Sequence, residues 1–528
     1  MTLRTFICCL ALFMATSLAW GQKRVKLKKA DSLYGSIIDG QRYDRVIGNV
    51  VFVQNKTTIY CDSAHFFKSE NRIEAYGKVH ITEGDSVDVT ALRLTYDGNN
   101  RLAQLRRNVI FTKLAKATLY TDFLDYDRSQ NKAKYFNGGK LVDSTNVLTS
   151  EKGYYDVNSN MASFKKNVVG VNVDYTMTSD TLQYHTGTKI MYFRDSTTIT
   201  DKEGGTAVYE DGYYDTSRKL SSLDKGEIET QSYKLKGEKY FLNDVRKYYK
   251  TKGNVVMTSK EENVIIYGDD GEYDRLNGIS KVYGNAYLAK ITDQNDTLFI
   301  SADTLVSIES KDPSQKKLLA YNDVKIFKSD LQGIADSLVY VSFDSMLYFY
   351  NDPVLWTNEN QMTGDSIRMF IIDKTVDRIF LIGNSFVVSE DSLSNFNQIK
   401  GRQMTAYFKD NLIHHVDVQG NGESIYYALQ EKEATLAEEQ RVKITALMGM
   451  NRIICSNMKI NFREGKVDNI TFYIKPDASF IPPHELKPED TRLRGFNWRQ
   501  KEKPLKEDVV KKPKIMAPQT PKLGDKLP

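Results

Sequence analysis

A pattern of about 30 residues recurs along most of this 528-residue chain, and self-similarity at a fixed period restricts a chain to architectures that stack one small unit. One half of the unit reads Asp-(Ser/Thr)-(Leu/Ile): Asp180-Thr181-Leu182, Asp303-Thr304-Leu305, Asp336-Ser337-Leu338 and Asp365-Ser366-Ile367, with Asp62-Ser63-Ala64 as the first copy. The other half is a Gly-Asn corner before Val-x-apolar. It occurs at Gly48-Asn49-Val50, Gly77-Lys78-Val79, Arg107-Asn108-Val109, Lys166-Asn167-Val168, Gly253-Asn254-Val255, Gly284-Asn285-Ala286, Asn322-Asp323-Val324, Asn351-Asp352-Pro353 and Gly383-Asn384-Ser385.

Inside the unit, apolar side chains recur at every second residue, which is the strand period and not the helix period. Val50/Phe52, Val79/Ile81, Val109/Phe111, Val255/Met257, Ala286/Leu288 and Val324/Ile326 each put two apolar groups on one face. Ile73/Ala75, Ala103/Leu105, Leu347/Phe349 and Ile379/Leu381 do the same before the corner. Tyr-Asp, Asn-Gly and Gly-Asn dipeptides between these pairs reverse the chain. The spacing predicts an all-β array with two short strands per unit, each strand pairing with its counterpart one unit away, as in a β-solenoid or a stacked jelly roll. The apolar face predicts one shared lining: Val50, Phe52, Val79, Ile81, Val109, Phe111, Val168, Leu182, Val255, Met257, Leu288, Leu305, Val324, Ile326, Leu338, Leu355 and Ile367. The recurrent Asp of Asp-(Ser/Thr) is expected to hold a corner by bonding nearby backbone amides, because a residue repeated in unit after unit has a repeated task.

The ends differ from the body. Arg4, the apolar run Phe6 to Met14 and Ala19-Trp20-Gly21 read as a cleaved secretory signal over 1–21, followed by a basic segment over 22–33. The repeat array is expected over 34–475, weaker near 196–252. Nine of the eleven prolines lie from Pro476 onward, the profile of a sheet followed by a tail. Residues 476–499 read as a capping or docking segment, and 500–528 as a Lys/Pro-rich disordered tail. Of the four cysteines, Cys8 and Cys9 leave with the signal, and Cys61 and Cys455 read as small buried side chains at equivalent strand positions. The formal charge of +5 comes from the two ends and leaves a mildly acidic body, with no basic stripe for a nucleic acid.

No catalytic or cofactor motif is present: no phosphate-binding loop, nucleophile elbow, zinc-helix signature or dinucleotide fingerprint. The six histidines are scattered apart from His414-His415, and adjacent strand residues are expected to face opposite sides. The residues therefore point to no enzyme, no metal and no cofactor. A trough with a continuous apolar lining suits acyl chains, since each methylene taken from water contributes about 0.8 kcal/mol. Two other readings stay open on residues alone: a secreted structural or adhesive solenoid with a closed dry core, and a β-helical polysaccharide-active enzyme.

Ala75-Tyr76-Gly77-Lys78-Val79-His80-Ile81 with Gly84-Asp85-Ser86-Val87, and Asn108-Val109-Ile110-Phe111 with Leu119-Tyr120-Thr121-Asp122, resemble the OstA-like (LptA-like) periplasmic domains of the lipopolysaccharide-transport machinery. The resemblance covers most of Tyr34 to Lys475, and the chain's length and Pro-rich end are similar to the long OstA-like proteins of the Bacteroidetes type. It implies an elongated open β-jelly roll and a non-enzymatic periplasmic bridge that carries lipopolysaccharide towards the outer membrane. It implies as partners the lipid A acyl chains and other jelly-roll components at the inner and outer membranes. The short strands and the Pro528 terminus depart from an outer-membrane barrel.

Overall fold

Two consecutive residues with left-handed backbone recur at the Gly-Asn corners and shape every layer. φ is +80° and +45° at Gly48 and Asn49, +66° and +48° at Arg107 and Asn108, and +70° and +44° at Gly383 and Asn384. Gly and Asn reach this region at the least steric cost, which explains their recurrence. In the computed structural model the corner lies inside a strand and not between two strands. Gly77 and Lys78 sit within Arg72–Glu83, whose pairing with Thr57–Phe67 is broken between Ser63↔Tyr76 and Tyr60↔His80. The repeating unit is thus a hairpin of two long bent strands, and the corner is the bend.

The structure describes residues 24–511 except 85–86, 114–116, 145, 232, 261–262, 293–295, 342, 358, 373–374, 411, 436–440 and 464–465. The expected signal over 1–21, with Cys8 and Cys9, and the tail beyond 511 lie outside the described residues, as do Asp85 and Ser86. The chain divides into two units, Met1–Leu223 and Asp224–Pro528.

In the first unit, successive strands from Gln41–Gln54 to Tyr175–His185 pair antiparallel, each with the next in sequence. The expected pairing with a counterpart one unit away is therefore corrected to a meander. Short turns make antiparallel neighbours of consecutive strands directly, at small closure cost. The bend folds each strand onto itself, so its two halves face each other. Phe52 and Phe66, from opposite halves, have ring centroids 5.2 Å apart, and Phe111 and Tyr126 are 5.9 Å apart. At one margin the Tyr-Asp turns are closed by the aspartate: Asp97 Oδ1 accepts the backbone N–H groups of Asn99 and Asn100 at 2.9 and 3.1 Å, and Asp127 does the same for Ser129 and Gln130.

The second unit repeats this plan from Tyr233–Asn243 to Lys466–Tyr473. Some strands are broken at the corner, as where Ser337–Val341 pairs with Met346–Tyr350 and Gln332–Ile334 pairs with Val354–Trp356. After Asp477–Ile481, which pairs with Met450–Ile454, the chain leaves the sheet. Residues 482–510 pack back across strands of this unit as a strap. Composition places 500–510 in a disordered tail, but Lys506–Val509 forms one helical turn with Val509 fully buried. Val509, with the buried Pro504, supplies an apolar anchor within the charge-rich stretch.

Candidate functional site

The recurrent acidic residue sits across from the corner on the neighbouring strand. Asn49, Asn285, Asn351 and Asn384 donate their side-chain amides to Asp31 (2.9 Å), Asp269 (2.8 Å), Asp336 (3.1 Å) and Asp365 (3.0 Å). Glu151 takes the same place against Asn167 at 2.6 Å. Asp122 accepts the backbone amide of Asn108 at 2.9 Å. The expected corner role is thus carried mainly by an Asp–Asn side-chain pair between strands. It pins a backbone conformation that side chains otherwise disfavour.

Of the lining residues expected from sequence, all but Met257 are buried, and Met257 is half-buried. Leu288, Leu305, Val324, Ile326, Leu338, Leu355 and Ile367 come together in one core cluster of the second unit. Most are packed core, however, and do not border open space. Within the second unit lies a cavity of about 890 Å³, and Ile326 is the only one of the expected lining residues on its wall. Its other apolar walls include Leu298, Leu331, Leu347, Phe349, Met369, Ile371, Val376, Phe408, Ile413, Phe462 and Val467. Glu359, Thr375, Ser392 and Leu412 are exposed at its rim. In the first unit a smaller cavity, about 210 Å³, is bordered by Phe111, Leu119, Leu124, Tyr135, Leu141, Tyr155 and Phe164. Small-molecule sites span about 300–1,000 Å³, so the larger cavity is ligand-sized and the smaller is not.

The same alternation that marks the core also marks these walls. What it cannot reveal is where the two halves of the bent strands stand apart. Residues such as Phe408, Ile413 and Val376 are half-buried, packed against the core cluster and also bordering the cavity.

The strap was also only partly visible. Gln398, fully buried, donates to the Thr491 carbonyl and accepts the Leu493 N–H, both at 2.8 Å. Gln361 makes the same pair with the Asn497 carbonyl and the Arg499 N–H, both at 2.7 Å. Leu493 packs with Phe386, Val388, Ile425, Tyr427 and Met450, and Arg492 lies 4.5 Å over the Phe396 ring. Each glutamine amide replaces a strand ladder for the docked segment.

His414 and His415 are not on opposite faces as expected. A register shift between Tyr407↔His415 and Phe408↔Ile413 leaves His414 unpaired in the ladder, and the two Nδ1 atoms lie 2.8 Å apart. Burial and the nearby Lys459 hold His415 below the ordinary imidazole value. Among the described residues, no group of three or more His, Cys, Asp and Glu side chains is arranged to hold a metal. Cys61 and Cys455 are both buried free thiols. Among the described residues, no helix is long and apolar enough to cross a membrane.

Residues 22–180 match the family model described as OstA-like protein. Among solved structures, the chain is similar to the crystal structure of LptH, described as the LptA homologous periplasmic component of the conserved lipopolysaccharide transport device from Pseudomonas aeruginosa. That likeness has 14% identity, covers 21% of this chain and 77% of that one, and has a TM-score of 0.19. No curated protein matches the chain.

Proposed function

We propose that this chain, OstA-like in sequence over residues 22–180, is a non-enzymatic lipid-binding protein of the periplasm that receives the acyl chains of lipopolysaccharide in the apolar interior of its bent sheets and passes them towards the outer membrane. The observation that carries the reading is the ligand-sized cavity of the second unit, about 890 Å³, set between facing halves of the strands, which joins apolar walls such as Leu298, Phe349, Phe408 and Ile413 to polar groups that include Lys328, Asp330, Glu390 and Asp391. A chain of about a dozen methylenes removed from water contributes on the order of 10 kcal/mol before the cost of immobilising it. Binding of that kind draws its free energy from burial of the acyl chain and needs no polar recognition. A closed solenoid with a dry core would have no use for a cavity of this size. A signal peptide over 1–21, export to the periplasm and partnership with other jelly-roll transport components belong to the same proposal.

The test is displacement of an apolar fluorophore from the purified mature chain by lipopolysaccharide. Leu298→Trp and Ile413→Trp, which fill the cavity from two different strands, are expected to weaken displacement about tenfold or more while circular dichroism stays unchanged. Displacement that is absent, or that survives both substitutions undiminished, refutes the reading.

A further inference from the structure

Polar side chains bridge the two margins of the first unit at a constant stagger. The Val25 N–H donates to Asn71 Oδ1 at 2.9 Å, 46 residues away, and Gln54 Nε2 donates to the Gly98 carbonyl at 2.9 Å, 44 residues away. The Arg128 guanidinium donates to both Glu83 carboxylate oxygens at 2.6 and 3.1 Å, 45 residues away. Lys189 Nζ lies 3.5 Å from Asp143 Oδ2, 46 residues away, and the Tyr184 hydroxyl donates to the same oxygen at 3.0 Å. Each contact joins a strand end at one margin to a turn at the other, about one and a half repeats along.

These rungs are built into the fold. The Arg128 side chain is 8% exposed and that of Asp143 is 3% exposed. The Tyr96 hydroxyl ties Arg128 to Gln54, accepting from the first at 3.2 Å and donating to the second. A guanidinium held inside an apolar roll needs such partners, because a buried charge without them is strongly disfavoured. In the second unit the corresponding cation pairs along its own margin: Lys328 contacts Asp330 at 2.6 Å and Asp296 at 3.7 Å, and Ser329 also donates to Asp296. Lys328 and Asp330 border the large cavity there.

We infer that the staggered contacts of the first unit, with Glu83–Arg128 and Asp143–Lys189 as the ion-paired rungs, form a seam that latches its roll shut against sideways entry of acyl chains, and that the second unit is the lateral port. The inference rests on the lipid-binding reading for its ligand, and the latch itself has a ligand-free signature. It accounts for the difference in size between the two cavities, about 210 Å³ in the latched first unit and about 890 Å³ in the second.

The test uses the full mature chain, a myristate carrying a diazirine photolabel, and peptide mapping. In the unmodified chain, label is expected at Phe408 and Ile413. The double variant Glu83→Gln, Arg128→Met is expected to gain at least threefold label at Leu119 and Leu141. Its amide exchange over Ala117–Asp127, measured without lipid, is expected to rise at least tenfold. Lys189→Met attacks a second rung and is expected to act in the same direction. Restoration by the charge exchange Glu83→Arg, Arg128→Glu supports the ion pair. Equal labelling of both units in the unmodified chain overturns the inference, and so do folded latch variants with unchanged label and exchange. Faster exchange with no label in either unit refutes the lipid reading and supports the latch.

Discussion

Replacing Gln398 with alanine tests how the strap is held. The glutamine is fully buried, and its amide satisfies the Thr491 carbonyl and the Leu493 N–H, each at 2.8 Å. Gln398→Ala removes both of these bonds, and a third to the Phe396 carbonyl at 3.0 Å, and leaves two backbone groups of the strap facing a small apolar gap. A lost hydrogen bond is worth about 1 kcal/mol, and an orphaned buried group about 1–3 kcal/mol, so the strap loses roughly 2–4 kcal/mol of docking free energy. That corresponds to about a 30- to 1,000-fold rise in the open population. Trypsin reads this directly at Arg492 and Arg494, because cleavage follows the open population when closing is fast. The rise is expected without loss of the β-sheet circular dichroism signal. Release of Leu493 from Phe386, Val388 and Met450 should also raise binding of an apolar dye. Cleavage within threefold of the unmodified chain would refute the reasoning, and so would strap release that occurs only with global unfolding.

Gly77→Ala is expected to lower stability in urea by about 1–3 kcal/mol. The residue has φ +74°, and an added Cβ would come 2.5 Å from Asp62 Oδ2. Asp365→Ala, which removes the Asn384 contacts at 3.0 and 3.2 Å, should cost less, about 0.5–1.5 kcal/mol, because the pair is exposed. Acid titration followed by circular dichroism has a predictable sign at Glu272. The hydrogen bond from Lys250 holds its carboxyl at about 2 instead of 4.5. Its contribution is therefore full above about pH 4.5 and lost as pH falls towards 2, and Glu272→Gln should flatten that window only. Cys61, whose thiol burial pushes up to about 12 with Asp62 adding to the shift, is expected to resist maleimide at neutral pH until denaturant is added.

The alternation in Val50/Phe52, Val79/Ile81 and Val109/Phe111 revealed the all-β class and the buried face, because a two-residue period has one structural meaning when one side is apolar. The Gly-Asn pairs were readable as special backbone positions but not as bends within a strand, since a corner and a turn ask for the same residue types. Pairing partners were hidden for a related reason. Alike units make a neighbour one unit away and a neighbour next in sequence equally compatible with the pattern, and only the turn lengths decide. The cavity of the second unit was invisible because Phe408 and Ile413 alternate just as core residues do. The seam of the first unit depends on a stagger of 44 to 46 residues, which no local motif encodes. His414 shows the limit of period reasoning most plainly: a single shifted residue brings two neighbouring rings together.

The central claim is that acyl chains of lipopolysaccharide lie inside the second unit, and photocrosslinking in living cells tests it most directly. A benzophenone side chain in place of Phe408, on the cavity wall, is compared with one in place of Tyr350, which is 41% exposed and absent from that wall. Lipid held inside the second unit gives a lipopolysaccharide adduct from position 408 and none from 350. No adduct at 408, or equal adducts from both positions, would contradict it.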